Sequence, residues 1–494
     1  MNLQIKSCLK ETDHWSQFRK NIIGHDLTFQ NEHGQHNVLY ADWIASGRLY
    51  RPIEHAMTEK VGNVVANPHS YSCYTGAKIT ELYTEARTCI KRHVNANKND
   101  ILVTVGSGMT DALLRLQEIL RVKQMVNGQG KKPVVFITHM EHHSNQVSWM
   151  ECDVDVVVVP PNKQNLVDPS NLRAELSKYQ DRKLKIGAFS ACSNVTGVIN
   201  PIHQLAKVMH EYGGYCFADY AASAPYVDIN MHPEDPSEDL DAIFFSPHKF
   251  LGGPGSCGVL IFNKMFHTGI PNIPGGGNVR WTNPWGGYGY TKDIEAQEDG
   301  GTPAFLQTIK AAMAIKLKEQ MGTEQIRHRE SELLVMAHLE LQLMDNVELL
   351  EKYYQADRIG CLAFNIKGLH YNLVVRLLND RYGIQARGGW SCASTYSHYL
   401  FDIDKDRSRQ IMTEIDEYNA STKPGWVRLS LHPTMTNKEL DFCMKAINEI
   451  SSYGQQWAKE FEYNPETNEF DKIQEFGFVK ENSANKLYVF DHIH

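Results

Sequence analysis

Between about residue 80 and residue 265 the chain repeats one pattern, a short apolar run of strand length followed by a helical stretch. The apolar runs fall at 101–105, 134–138, 154–159, 186–190, 215–218, 242–245 and 259–262. None alternates apolar with polar residues as a half-exposed strand does, so each is read as buried on both faces. Helical periodicity covers 110–121, 172–179 and 203–212. An amphipathic helix over 78–94 precedes the series, with Ile79, Leu82, Tyr83, Ala86 and Ile90 on one face. Buried strands separated by helices predict an α/β fold with a mostly parallel sheet covered on both sides. In such sheets ligands bind beyond the carboxyl ends of the strands, and chemistry is sought in the loops there.

After residue 270 the texture changes. The stretch 271–301 is rich in Gly, Pro and Trp and reads as a long functional loop. Helices are expected at 305–321 and 323–344. A second α/β region follows, with strands at 361–366 and 426–431 and helices at 371–381 and 438–451. The expected organisation is an N-terminal segment over 1–50 packing on the small domain and a large domain over 51–315. A smaller C-terminal α/β domain over 316–455 and an extension over 456–494 complete it.

Composition excludes several classes of function. Fifty Lys plus Arg against 58 Asp plus Glu leave a net charge of −8, which argues against a polybasic nucleic-acid or membrane binder. Ten Cys without a CxxC pair are too sparse for a disulfide scaffold and read as reduced thiols. No run approaches the roughly 20 apolar residues of a membrane helix, and the first residues lack a signal-peptide pattern. The expectation is a cytoplasmic enzyme acting on a small molecule, with no nucleic-acid or membrane partner.

The strongest local feature is Ser246-Pro-His248-Lys249 at the end of the run 242–245, followed by Gly252-Gly-Pro-Gly255. A Lys there can form an imine with a carbonyl cofactor, and Ser246 and His248 can bond a phosphate. A solvated Lys before a turn is the plainer alternative. Asp219 ends the run 215–218, where a buried carboxylate needs a cationic partner such as a protonated pyridine nitrogen, or else backbone amides. Gly106-Ser-Gly108-Met109-Thr110 reads as strand, glycine turn and helix start, which aims free N–H groups at a phosphate. It matches neither GxGxxG nor the Walker A pattern. Glu141-His142-His143 puts an imidazole at a strand end, able to stack on an aromatic ring, and no HExxH partner supports a metal site there. Asn194 offers an amide that can bond a ring oxygen, or Asn194-Val-Thr-Gly197 is simply a turn. Cys392 lies in a glycine-containing loop, read as mobile, with Arg387 and His398 close in sequence. It is either a nucleophile or an inert thiol.

Taken in this order, these elements resemble the class V aminotransferase family of fold-type-I pyridoxal 5′-phosphate (PLP) enzymes, and within it the cysteine desulfurase and selenocysteine lyase branch. The resemblance runs from about Tyr40 to Ser451. It implies that the large domain binds PLP and that Lys249 carries it, with Asp219 on the pyridine nitrogen, His142 on the ring and Asn194 on a ring oxygen. It likewise implies Gly108, Met109, Thr110, Ser246 and His248 around the phosphate. Tyr40-Ala-Asp-Trp-Ile-Ala-Ser46-Gly47 is similar to the family's opening strand and Asn67-Pro-His69 to its entrance segment, which makes Ser46 and His69 substrate-binding candidates. Gly300-Gly-Thr302-Pro resembles the segment a second subunit contributes, so a homodimer is implied, with Thr302 reaching the neighbouring site. Arg387-Gly-Gly-Trp-Ser-Cys392-Ala resembles the desulfurase loop RxGxxCA, and Trp426-Val-Arg428 the strand bearing the carboxylate-binding arginine.

The implied function is release of sulfur or selenium from L-cysteine or selenocysteine through a Cys392 persulfide, giving alanine, with a sulfur-acceptor protein as an implied partner. Catalytic roles fall on Lys249, Cys392 and His142, and substrate binding on Arg428 and Asn194 as well. No metal is expected. A class V aminotransferase, or another PLP lyase or epimerase, stays open as the alternative. Two departures bear on the choice. Ala222 stands where the family usually has Gln, and Trp390-Ser391 where desulfurases commonly carry polar or imidazole residues.

Overall fold

A computed structural model of the chain describes residues 14–106, 108–122, 131–350 and 356–473. Parts of the expected N-terminal segment and C-terminal extension, and Ser107 of the glycine turn, lie outside these residues.

The apolar runs form one seven-stranded sheet, with strand order Asp100–Val105, Gly258–Asn263, Ala242–Phe245, Tyr215–Asp219, Lys185–Ser190, Val134–Thr138, Asp155–Val159. Gly258–Asn263 runs antiparallel to both of its neighbours, and the remaining pairings are parallel. Successive residues of these strands pack into two cores, one on each face. Phe136, Phe189 and Phe245 go to one and Ile137, Phe217 and Phe244 to the other. Two-sided burial is why the runs carry no polar alternation.

The helix Tyr74–His93 lies on one face and buries Ile79, Tyr83, Ala86 and Ile90. Arg87 on the same helix is also buried, and it holds down the stretch expected to be a long loop. Its guanidinium pairs with Glu295 at 2.9 Å and Asp299 at 3.1 Å, while Arg115 reaches Glu298 at 3.2 Å. Residues 271–301 are therefore built rather than open. They contain the hairpin Val279–Thr282/Tyr288–Tyr290 and the helix Ile294–Glu298. Their order comes from carboxylates meeting cations some 200 residues away, which local composition does not encode.

A second, four-stranded antiparallel sheet has the order Val347–Leu349, Cys361–Ile366, Trp426–Ser430, Arg387–Gly389. The helices Tyr371–Tyr382 and Asn437–Trp457 pack in its apolar core. The second begins in a capping box between Thr436 and Glu439 and runs past the expected end at 451. Gly454 sits inside it because a Cβ there would lie 2.4 Å from Leu369.

The expected opening strand is short. Leu39–Tyr40 pairs in parallel with Ile384–Gln385, and the chain then turns into the space between the two sheets. Past the long helix, the hairpin Phe461–Asn464/Glu469–Lys472 lies against Tyr371, with Asn468 donating to the Tyr371 hydroxyl at 2.8 Å. No described helix is long and apolar enough to cross a membrane.

Candidate active site

The carboxyl ends of the parallel strands and the start of the second sheet enclose a cavity of about 280 Å³. Ten of the sequence candidates line it: Met109, Thr110, His142, Asn194, Asp219, Ser246, His248, Lys249, Cys392 and Arg428.

Asp219 is the last residue of its strand, in register with Ser190 on one side and Phe244 on the other. Its Oδ1 accepts from the Ala221 amide at 2.8 Å. Burial drives its pKa up, and the positive charge of Lys249 draws it back down. Lys249 closes the single turn Pro247–Lys249 that follows the next strand. Burial drives its amine toward the neutral form, Asp219 opposes that, and Arg428 reinforces it.

The residue beneath this pair was legible only as part of a motif. Glu141 is fully buried and accepts hydrogen bonds from Thr138, Ser190 and Asn145. It ties two strand ends together and sets the turn that presents His142. That imidazole caps the helix His143–Met150, its Nδ1 accepting from the Ser144 amide at 3.2 Å. Burial and the Lys249 charge hold His142 down to about 4, so it is neutral, with its proton on Nε2.

Gly108 opens the helix Gly108–Ile119 with φ +65°, and a Cβ there would stand 2.8 Å from Ser246 Oγ and 3.1 Å from His248 Cε1. The missing side chain leaves a cradle between a helix N-terminus, a hydroxyl and an imidazole. Ser246 Oγ also accepts from the Met109 amide at 2.8 Å. A phosphate fits this donor set.

From the second sheet, Arg428 donates to the Asn194 carbonyl at 2.9 Å and to Asp42 at 2.7 Å. Asp42 also accepts from Arg387 Nε at 2.9 Å. Sequence reasoning gave Asp42 no role. Its link to Arg428 spans 386 residues, and no local pattern announces it. Arg428 Nε is buried without a partner among the described residues.

Cys392 is exposed, and both it and Ser391 adopt left-handed backbone, with φ +57° and +49°. Neither is glycine, so the loop carries strain. Hydrogen bonds from both domains tether this loop, which the sequence reading takes as mobile. The Cys392 carbonyl accepts from the His143 amide at 2.7 Å, and the Ser391 carbonyl from Asn194 Nδ2 at 2.7 Å. Ser391 Oγ accepts from Trp426, and the Ser394 amide donates to His143.

Besides Gly108, which borders the cradle, three sequence candidates stand outside the cavity wall of this single chain. Ser46 bonds to the next carbonyl, one residue beyond the lining Ala45. His69, with φ +64°, is exposed and lies edge-on to Tyr83. Thr302 is exposed. Ala222, in place of the expected Gln, does line the cavity.

A family model described as aminotransferase class-V matches residues 39–442. A probable cysteine desulfurase of Halalkalibacterium halodurans is 27% identical over 372 residues, 74% of this chain and 86% of that protein. A cysteine desulfurase of Shigella flexneri is 27% identical over 381 residues, 73% of this chain and 85% of its own. Among solved structures, the apo cysteine desulfurase of Thermococcus onnurineus superposes with a TM-score of 0.72 at 22% identity, covering 90% of this chain and all of that one.

Proposed function

Because the chain belongs to the class V aminotransferase family of PLP enzymes, we propose that it acts as a cysteine desulfurase-like enzyme. It takes sulfur from L-cysteine, or selenium from selenocysteine, and leaves alanine. The observation that carries this reading is a thiol, Cys392, in the wall of the cavity that also holds Lys249 and Asp219. Transamination has no use for a nucleophile there.

The residues fit the cofactor. A buried carboxylate with one amide bond, drawn toward its neutral form, is relieved by a protonated ring nitrogen. The Gly108 cradle suits the phosphate, and neutral His142 supplies an uncharged aromatic face. Bound there, PLP provides an aldehyde that joins amines and a ring that withdraws electrons from the adjoining carbon.

The chain's own residues do the rest. Arg428 binds the substrate carboxylate with the N–H groups that Asn194 and Asp42 leave free, its orphaned Nε among them. Lys249 Nζ, biased toward the free amine, takes the Cα proton. Cys392 Sγ attacks the substrate sulfur. The electron pair of the broken carbon–sulfur bond stays with the carbon skeleton, which is protonated and leaves as alanine. The persulfide remains on Cys392 for a thiol or an acceptor protein to collect.

The same reading divides the chain into a large domain over 51–315 and a small one over 316–455, and takes the enzyme as cytoplasmic. It also makes the enzyme a homodimer in which Thr302 completes the partner's phosphate site. Trp285, 88% exposed, and the exposed Trp281 and Tyr288 support this, forming apolar surface on the hairpin just before Thr302. Sedimentation of the holoprotein as a monomer would remove the dimer.

The deciding assay incubates the PLP-loaded protein with L-cysteine and dithiothreitol. Alanine and sulfide in equal amounts are expected. Amino transfer to a keto acid without sulfide would overturn the desulfurase reading in favour of an aminotransferase.

A further inference from the structure

The second sheet sets two cations side by side. Arg387 and Arg428 are register partners on the antiparallel strands Arg387–Gly389 and Trp426–Ser430, and both line the cavity. Like charges directly opposite one another on a sheet repel. Asp42 joins the two. Its Oδ1 accepts from Arg428 Nη2 at 2.7 Å, and its Oδ2 accepts from Arg387 Nε at 2.9 Å. Asp42 is buried and does not itself line the cavity.

The strands that carry the two arginines also hold this carboxylate in place. The Ala41 amide donates to the Gln385 carbonyl at 3.0 Å, and the Ala41 carbonyl accepts from the Ser430 amide at 2.8 Å. Gln385 lies two residues before Arg387, and Ser430 two residues after Arg428. The Asp42 carbonyl accepts from the Ala45 amide at 3.0 Å and from the Tyr40 hydroxyl at 3.2 Å. With its backbone fixed on both sides, Asp42 meets both guanidiniums at once.

The charges at this end of the cavity sum to a single positive one, two guanidiniums against one carboxylate. Among the described residues no other acid pairs with either arginine. The rest of the wall does not alter the sum. Lys249 answers Asp219, and burial and the Lys249 charge hold His142 and His248 down to about 4, so both imidazoles are neutral. One positive charge matches one carboxylate of a ligand.

We propose that Asp42 is a positioning residue that sets specificity through the two arginines. By neutralising one of them, it fits the cavity to amino acids with a single carboxylate and disfavours those that carry a second one on the side chain. The proposal deepens the reading above and rests on it, since Arg428 has to receive the substrate carboxylate. L-cysteine meets the rule, and L-aspartate does not.

The test titrates PLP-loaded protein with L-alanine, which has one carboxylate, and with L-aspartate, which has two. Dissociation constants are read from the visible absorbance of the bound cofactor. Wild type is expected to bind L-alanine the more tightly. Asp42→Asn keeps the shape of the side chain and frees the second charge. The ratio of the two constants is expected to move about ten- to 100-fold toward L-aspartate, the scale of one charge pair several ångströms apart at the effective dielectric of a protein. Arg387→Gln alone leaves Asp42 to cancel Arg428, and L-alanine binding weakens about tenfold. The double variant Asp42→Asn/Arg387→Gln returns the sum to one positive charge and restores the wild-type preference. A purely structural brace would weaken both ligands alike, so an unchanged ratio in Asp42→Asn overturns the proposal. A double variant that keeps the preference for L-aspartate overturns it too. Undiminished L-alanine binding in Arg387→Gln does so even if Asp42→Asn fails to hold PLP. Sulfide release from L-cysteine is measured on the same wild-type protein. The expected ratios without sulfide remove the desulfurase reading and leave the role of Asp42, whereas sulfide with an unchanged ratio removes the role of Asp42 alone.

Discussion

Asp219 ends one strand and Lys249 closes the turn after its neighbour, both lining one cavity, and burial draws each toward its neutral form while the other resists. Without a bound cation the arrangement is uncomfortable.

Asp219→Asn tests that discomfort. The folded pKa of Asp219 lies above its unfolded value, so its contribution to stability is present in acid and is lost as pH rises through the folded value. At pH 7.5 the cofactor-free variant is expected to melt about 1–3 °C higher than wild type. PLP affinity falls by roughly 10²–10³-fold, the cost of removing one partner of a buried pair. Thermal unfolding and absorbance titration read the two effects, and a lower melting temperature would contradict the buried-charge argument.

Cys392→Ser should reduce alanine formation from L-cysteine by more than about 10²-fold, because a hydroxyl is a far poorer nucleophile toward sulfur. The visible absorbance of bound PLP should persist. Full activity in this variant would remove Cys392 from the chemistry.

Gly108→Ala places a methyl group 2.8 Å from Ser246 Oγ at a left-handed position. The conformation alone costs about 1–2 kcal/mol. Weaker PLP binding together with a lowered melting temperature is the expected pair of effects. Unimpaired PLP affinity would show that the cradle is not the phosphate site.

His232 bridges Asp100 at 2.7 Å and Asp239 at 3.0 Å, pinning the connection between Asp219 and Lys249. Burial disfavours the imidazolium, but hydrogen bonds and charge from the two aspartates outweigh it, so the folded pKa lies above the usual value. The stabilisation is fully present below the unfolded histidine value near 6.5. It disappears as pH rises through the folded one. Amide exchange in this segment should accelerate on the alkaline side, and His232→Gln should flatten that dependence.

The strands of the large sheet were legible because continuous apolar runs bounded by glycine and polar residues have few other uses. The expected ranges differ from the observed ones by a residue at most at either end, and Val134–Thr138 and Ala242–Phe245 agree at both. Asp219, Lys249 and His142 were legible for a related reason, since Asp219 ends such a run and the other two follow one within four residues, where side chains face whatever lies beyond the sheet. The segment 271–301 was misread because Gly, Pro and Trp indicate how freely a chain can turn. They do not indicate whether Arg87 and Arg115 wait to neutralise its carboxylates.

Local pattern alone carried the α/β architecture and put an acid at one strand end and a lysine just past the next, because apolar runs and backbone periodicity are written in neighbouring residues. Tertiary structure decided that Asp42 shares Arg428 with the cavity and that the Cys392 loop is tied to His143. Each is a meeting of charge or hydrogen-bond partners between segments far apart in the chain. Coulomb forces and hydrogen bonds act through space, and only the folded path brings those partners within reach.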